Sequence, residues 1–251
     1  MGEACNPLGP GGWELILGIE TATPVSSVAL GDAEGVVAES VIEGGAMHAE
    51  YLVPAIRSMC ATAGFVLGDL RAVGVDIGPG LFTGLRVGVA AAKSLAMALG
   101  ISAVGVVSID ALALPVLRDS PCRLVAAIDA RRGEVFAASI SPGIKADPRV
   151  MSPSQLAERV EWEIGASPGT GVGLVGDGFT RHFPAGMPGA VRLGEDFPTA
   201  SSVVLLAAEA LDRGAGKDPD CLVPLYLRAP DVRINWETRS RSSDPNAGSG
   251  R

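Results

Sequence analysis

Histidine and paired cysteines are scarce in this 251-residue chain, and each scarcity excludes something. The two histidines, His48 and His182, stand far apart with no Gly-x-Ser-x-Gly or catalytic-cysteine motif, so a hydrolytic triad is excluded. A metal pair on one helix face needs ligands at i and i+4. Position 52, four after His48, is Leu, so no metal site is expected. The four cysteines, Cys5, Cys60, Cys122 and Cys221, include no C-x-x-C pair, which predicts reduced thiols and a cytoplasmic protein. No apolar run approaches the ~20 residues of a membrane span. The candidate from Val87 to Leu99 contains Lys93 and follows Arg86. The opening dozen residues carry Glu3 and no basic stretch, so neither a signal peptide nor a membrane contact is expected.

Basic side chains are also few, and unevenly placed. Residues 1–108 hold four (Arg57, Arg71, Arg86, Lys93) against ten acidic ones, a net charge of -6. Residues 109–228 hold twelve against fifteen, and 229–251 are net +1. Phosphate backbones are held by clustered Lys and Arg. The first half is therefore no nucleic-acid platform on its own. With 47% apolar residues the chain can nonetheless build a substantial core.

Residues 1–12 read as a loose leader. The continuous apolar run Leu15–Ile19 suits a strand buried on both faces, and Val25–Leu30 and Val36–Val41 follow as a meander. A helix over 48–63 carries a Leu52, Ile56, Met59 stripe and ends at Gly64. A strand over 72–77 leads through Gly78-Pro79-Gly80-Leu81-Phe82-Thr83-Gly84 into a second helix over 85–99, then a strand over 104–107 and a capped helix from Ser108. At Cys122 the pattern restarts. An apolar strand, the turn Asp129-Ala130-Arg131-Arg132-Gly133 and a second strand over 134–140 echo residues 13–30. This predicts a duplicated α/β module, with lobes over 13–108 and 109–230 and a disordered tail over 231–251. Helices over 151–160 and 201–213 and a strand over 172–175 ending in Gly176-Asp177-Gly178 complete the second lobe.

Three turns are candidate phosphate or nucleotide contacts. Glycines between strand and helix let backbone N–H groups approach an anion, which singles out Gly78 and Gly80. The loop is neither a Walker loop nor a dinucleotide fingerprint, because no Gly-Lys-Ser/Thr follows and Thr83 replaces the third glycine. Glu20, Thr21 and Thr23 end the first strand, Asp129 and Arg131 hold the matching position in the second half, and Gly176 opens a third turn. The alternative is that these are ordinary tight turns whose hydroxyls bond local backbone. The 85–99 helix is apolar or small almost all round, so it must be covered on every side. Its Val87, Ala91 and Leu95, with Leu52, Ile56 and Met59, are candidates for a partner interface; burial within the chain is the alternative.

Four segments in order, Gly18-Ile19-Glu20-Thr21-Ala22-Thr23, Gly78-Pro79-Gly80-Leu81-Phe82-Thr83-Gly84-Leu85-Arg86, Ile128-Asp129-Ala130-Arg131-Arg132-Gly133-Glu134-Val135 and Pro224-Leu225-Tyr226-Leu227-Arg228-Ala229-Pro230, strongly resemble the bacterial TsaB (YeaZ) family. The resemblance spans about residues 13–230. It implies a two-lobed actin/Hsp70-like (ASKHA) fold of mixed sheets with flanking helices. It further implies a non-catalytic subunit that binds and stabilises a TsaD-like threonylcarbamoyltransferase, which modifies the adenosine next to the anticodon in tRNA. Pairing would use the helices over 48–63 and 85–99, with a homodimer when the partner is absent. A TsaE-like ATPase joins the complex, and tRNA is met only through it. No cofactor is required by such a subunit, while ATP or ADP with magnesium at the subunit junction is a candidate ligand. The chain departs from the family pattern at Glu20, where Asp is usual. The alternative function is a nucleotide-dependent small-molecule kinase or ATP hydrolase of the same fold.

Overall fold

The computed structural model describes residues 14–42, 49–119, 122–141, 143–167, 169 and 171–228. The expected leader, the expected tail and His48 lie outside them. The first lobe runs β1 (Ile16–Glu20), β2 (Ser26–Gly31), β3 (Val36–Ile42), α1 (Ala49–Ala63), β4 (Ala72–Gly78), α2 (Phe82–Leu99), β5 (Ser102–Val107) and α3 (Ser108–Asp119). The second repeats that order as β6 (Leu124–Arg131), β7 (Glu134–Ile140), β8 (Arg149–Met151), α4 (Pro153–Ala166), β9 (Val172–Val175), α5 (Asp177–His182), β10 (Ala190–Arg192) and α6 (Ala200–Asp212).

The two sheets have the same topology. One is ordered β3-β2-β1-β4-β5 and the other β8-β7-β6-β9-β10. In each, the first strand pairs antiparallel with the second and parallel with the fourth. The weak echo between residues 122–140 and 13–30 is thus a duplication of a whole βββαβαβα unit, the two-lobed α/β arrangement expected. Elements β8, α5 and β10 escaped the sequence reading, because three-residue strands and a six-residue helix are too short to show a period.

The alternation along β1 sorts its side chains. Leu15, Leu17 and Ile19 enter the core shared with α1 and α2, while Ile16 joins a second core built on α6. The final helix of the second lobe therefore packs on the first lobe's sheet, and α3 covers the second sheet with Ile109, Leu112, Ala113 and Val116. The helices α3 and α6 touch each other between the lobes. Gly18 and Gly74, paired across β1 and β4, make this possible. A Cβ on Gly18 would fall on the Ala200 carbonyl oxygen and lie 2.8 Å from Val204 Cγ2; one on Gly74 would lie 2.7 Å from Ala207 Cβ.

By length and composition α2 could cross a membrane, with a mean hydropathy of 1.3. The expectation that no apolar segment reaches that threshold is corrected here, because the helix begins three residues earlier than its periodicity indicates. In this fold Gly84, Leu85, Gly88, Val89, Ala92 and Ala96 are buried on the first lobe's sheet. Cys60, Cys122 and Cys221 are free thiols.

Substituting Gly18→Ala should push α6 off the sheet. We expect a loss of about 1–3 kcal/mol, the usual range of overpacking, read as a fall in thermal midpoint.

Candidate functional site

The carboxyl ends of β1 and β4 place two acids side by side in the sheet, Glu20 and Asp76, both fully buried. Glu20 Oε1 accepts the Ala22 N–H at 2.7 Å, and Oε2 lies 3.5 Å from Thr23 Oγ1, which donates to the Val25 carbonyl at 2.9 Å. Asp76 Oδ1 accepts the Gly78 N–H at 2.7 Å and the Ser108 hydroxyl at 2.6 Å, tying β4 to the start of α3. Its Oδ2 is buried without a hydrogen-bond partner. Burial pushes the Asp76 carboxyl up to about 7 against the bonds from Ser108 and Gly78. Burial, then the Asp76 charge, pushes Glu20 well above the usual carboxylate range. Asp76 was not singled out in the sequence. Its signal was an acid inside an otherwise apolar strand, Ala72–Gly78.

The glycine loop lies directly on the Glu20–Thr23 turn. A Cβ on Gly80 would fall on the Ala22 carbonyl oxygen, and one on Gly84 on that of Thr21. The Leu81 N–H donates to Ala22 O at 2.7 Å, and Thr21 Oγ1 donates to Gly84 O at 2.8 Å. Gly78 holds φ +108, with the Leu225 carbonyl 2.9 Å from where its Cβ would be. These glycines admit neighbouring backbone, so local turn packing explains Gly78 and Gly80, and Thr21 and Thr23 bond protein carbonyls.

In the second lobe, Asp129 is buried at the end of β6, and its N–H donates to Asp177 Oδ1 at 2.8 Å. Burial raises Asp177, with the N–H of Asp129 opposing. Arg131 Nη1 and Arg181 Nη1 lie 3.5 and 3.4 Å from Asp129 Oδ2, and His182 Nε2 lies 3.5 Å from Oδ1. Gly176 holds φ +104, and a Cβ there would fall on the Ala127 carbonyl oxygen. Its own carbonyl accepts from Arg192 at 2.8 Å. The candidate turns therefore pair within lobes: 20–23 with 78–84, and 129–133 with 176–178.

A segment unnoticed for its structure joins them. Leu222 is in the first lobe's core, the Leu225 N–H donates to Ile77 O at 2.6 Å, and the Tyr226 hydroxyl accepts from Arg86 Nε at 3.2 Å. Tyr226 and Arg86 both contact the Phe82 ring, at 5.0 and 3.9 Å from its centroid. Arg228 then donates to Ala130 O at 3.2 Å and pairs with Glu134 in the second lobe. Residues 222–228 form a strap between the ends of β4 and β6.

The six interface candidates separate. Leu52, Ile56 and Met59 are buried against the chain's own sheet and are core, not surface. This corrects the expectation for α1: an apolar stripe marks the side a helix buries at home. Val87, Ala91 and Leu95 are half-buried beside that core. Ser58 and Thr62 line a groove with β3. The helical period puts Val53, 52% exposed, on the opposite flank of α1. Val87, Ala91 and Leu95 thus lie along the side of α2 beside the core that α1 shares, and Val53 is an exposed apolar side chain on α1.

The Glu20–Asp76 pair carries a pH prediction. A carboxyl raised in the folded state stabilises at acid pH, and that stability is lost as pH rises through about 7. Asp76→Asn keeps the Oδ1 acceptor for Gly78 and Ser108 but cannot ionise. Thermal melts should show it more stable than the parent at pH 8, by on the order of 2 kcal/mol, with the gain shrinking as pH falls below about 7 and vanishing only below about pH 4, the range of an unfolded carboxyl.

Comparison with known proteins follows the same lines. The family model described as TsaD, tRNA N6-adenosine threonylcarbamoyltransferase, matches residues 32–146. An uncharacterized protein of Mycobacterium bovis is 33% identical over 220 residues, covering 87% of this chain and 93% of that one. An uncharacterized Mycobacterium leprae protein is 34% identical over 224 residues, again 87% of this chain, which spans only 56% of that relative. The Escherichia coli tRNA threonylcarbamoyladenosine biosynthesis protein TsaB is 36% identical over 122 residues, 48% of this chain and 52% of its own. Among solved structures, YeaZ from Pseudomonas aeruginosa superposes with a TM-score of 0.73 at 26% identity, covering 85% of this chain and all of that one (100%). With its duplicated lobes, its glycine loop seated on the Glu20 turn and these relatives, the chain belongs to the TsaB (YeaZ) family.

Proposed function

We propose that this chain is a non-catalytic subunit of the machinery that makes threonylcarbamoyladenosine in tRNA, and that it binds and stabilises a TsaD-like transferase. The name of the Escherichia coli relative and the transferase family model support the pathway. The observation that carries the binding role is the α1–α2 seam. On α1 Val53 is half exposed, and on α2 Val87, Ala91 and Leu95 are only partly covered by the protein's own core. Ala90 and Ala98 extend this surface along the outer side of α2. A second pair of helices laid along the seam would complete the burial, on the usual scale of about 800 Å² per partner. Such a partner is either the TsaD-like protein or, in its absence, a second copy. A TsaE-like ATPase, and ATP or ADP with magnesium at the junction, belong to the assembled complex in this reading.

The Val53→Glu/Val87→Glu double variant tests the seam. On a sizing column with the TsaD-like partner it should lose co-elution, while its thermal midpoint stays within a few degrees of the parent. An undiminished heterodimer peak would refute the interface. By contrast Leu52→Ala, a core truncation, should cost about 2–5 kcal/mol of stability. Mass-spectrometric nucleoside analysis after depletion of the protein should show threonylcarbamoyladenosine falling in tRNA; an unchanged level would end the pathway assignment.

A further inference from the structure

The corner between β6 and β7 sets two arginines in left-handed backbone. Arg131, Arg132 and Gly133 hold three successive positive φ values, 63°, 57° and 76°. Left-handed backbone costs a side-chain-bearing residue roughly 1–2 kcal/mol, and Asn-Gly is the usual solution at such hairpins. Here Gly133 keeps the glycine position, and arginines fill the two places before it. Backbone held in sparsely populated regions of this kind clusters at ligand clamps and other functional sites.

The neighbourhood holds the guanidinium of Arg131 beside that of Arg181, which arrives from α5. Both Nη1 atoms approach the same buried oxygen, Asp129 Oδ2, at 3.5 and 3.4 Å. Yet Oδ2 accepts no hydrogen bond, so the carboxylate gathers the two cations by charge without taking up their N–H groups. The Asp129 side chain is 2% exposed, whereas those of Arg131 and Arg181 are 47% and 58% exposed. Arg228 braces the turn from behind through Ala130 O and Glu134. Charge elsewhere sharpens the contrast, since residues 1–108 are net -6.

We propose that Arg131 and Arg181 form a contact point for the phosphate backbone of RNA on the second lobe. The proposal rests on the tRNA-modification reading above, which supplies an RNA to the complex. Two adjacent guanidiniums present paired donors of the geometry that phosphate oxygens accept. Backbone contact at an exposed corner of this kind positions an RNA without reading its sequence. It also revises the expectation that tRNA is met through partner surfaces alone.

The test titrates a labelled, unmodified tRNA transcript against the full chain, alone and with its TsaD-like partner, from 50 to 300 mM salt. Arg131→Gln/Arg181→Gln should weaken binding about tenfold at 100 mM salt and flatten the log–log salt slope by about 1–2. Arg131→Lys/Arg181→Lys should retain the slope, and Arg149→Gln/Arg213→Gln, which removes equal charge elsewhere on the surface, should leave binding close to the parent's. Equal affinity and slope for the parent and the Gln pair would overturn the proposal. So would an equal loss in the Arg149/Arg213 control, or a loss of Mg-ATP binding with tRNA binding intact. The chain-alone arm reads the corner even if the TsaD-like partner fails to associate, and nucleoside analysis after depletion reads the pathway assignment separately.

Discussion

The close approach of α6 to the first lobe's sheet is the constraint on which the rest of this molecule depends. Only where Gly18 and Gly74 lie paired on adjacent strands can a helix backbone come near enough for the Ala200 carbonyl and the Ala207 methyl to sit on the sheet. Because α6 belongs to the second repeat, this contact interlocks the lobes rather than merely abutting them. The helix α3 answers from the other side, contributing to the core of the second sheet while touching α6. Asp76 extends the same logic by bonding the first hydroxyl of α3, so the point where the lobes cross is also where a carboxylate is buried.

At the ends of the parallel strands the fold gathers acids in both lobes but treats them differently. Glu20 and Asp76 are enclosed with only backbone and hydroxyl donors around them, so burial favours their neutral forms. Asp129 instead has two arginines and a histidine around it. The duplication has thus diverged into a lobe whose strand ends are packed by a glycine loop and a lobe whose strand ends carry exposed cations. The strap over residues 222–228 connects the two, bonding Ile77 on one side and Ala130 on the other. Family membership fits this picture, since the segments shared with the family are the ones that meet here.

Much of this was legible in the chain. The strands β1, β2, β4, β6, β7 and β9 and the helices α1, α2 and α6 announce themselves through continuous apolar runs, period and glycine stops, because their stabilising burial is local in pattern. The Leu52, Ile56, Met59 stripe was legible as a stripe but not as to what covers it. A helix face that packs on its own sheet and one that packs on a partner have the same composition, and here the sheet takes it.

By itself the sequence determined the α/β class, the duplication and the positions of the turns, for these follow from the order of apolar runs and turn residues along the chain. Tertiary structure alone decided that α6 crosses to the other lobe, that the glycines admit neighbouring backbone, and that Arg181 comes to stand beside Arg131. Each of these depends on a contact between residues about 50 or more positions apart. Nothing in the local periodicity of either partner encodes such a distance, because it is set by how whole elements pack.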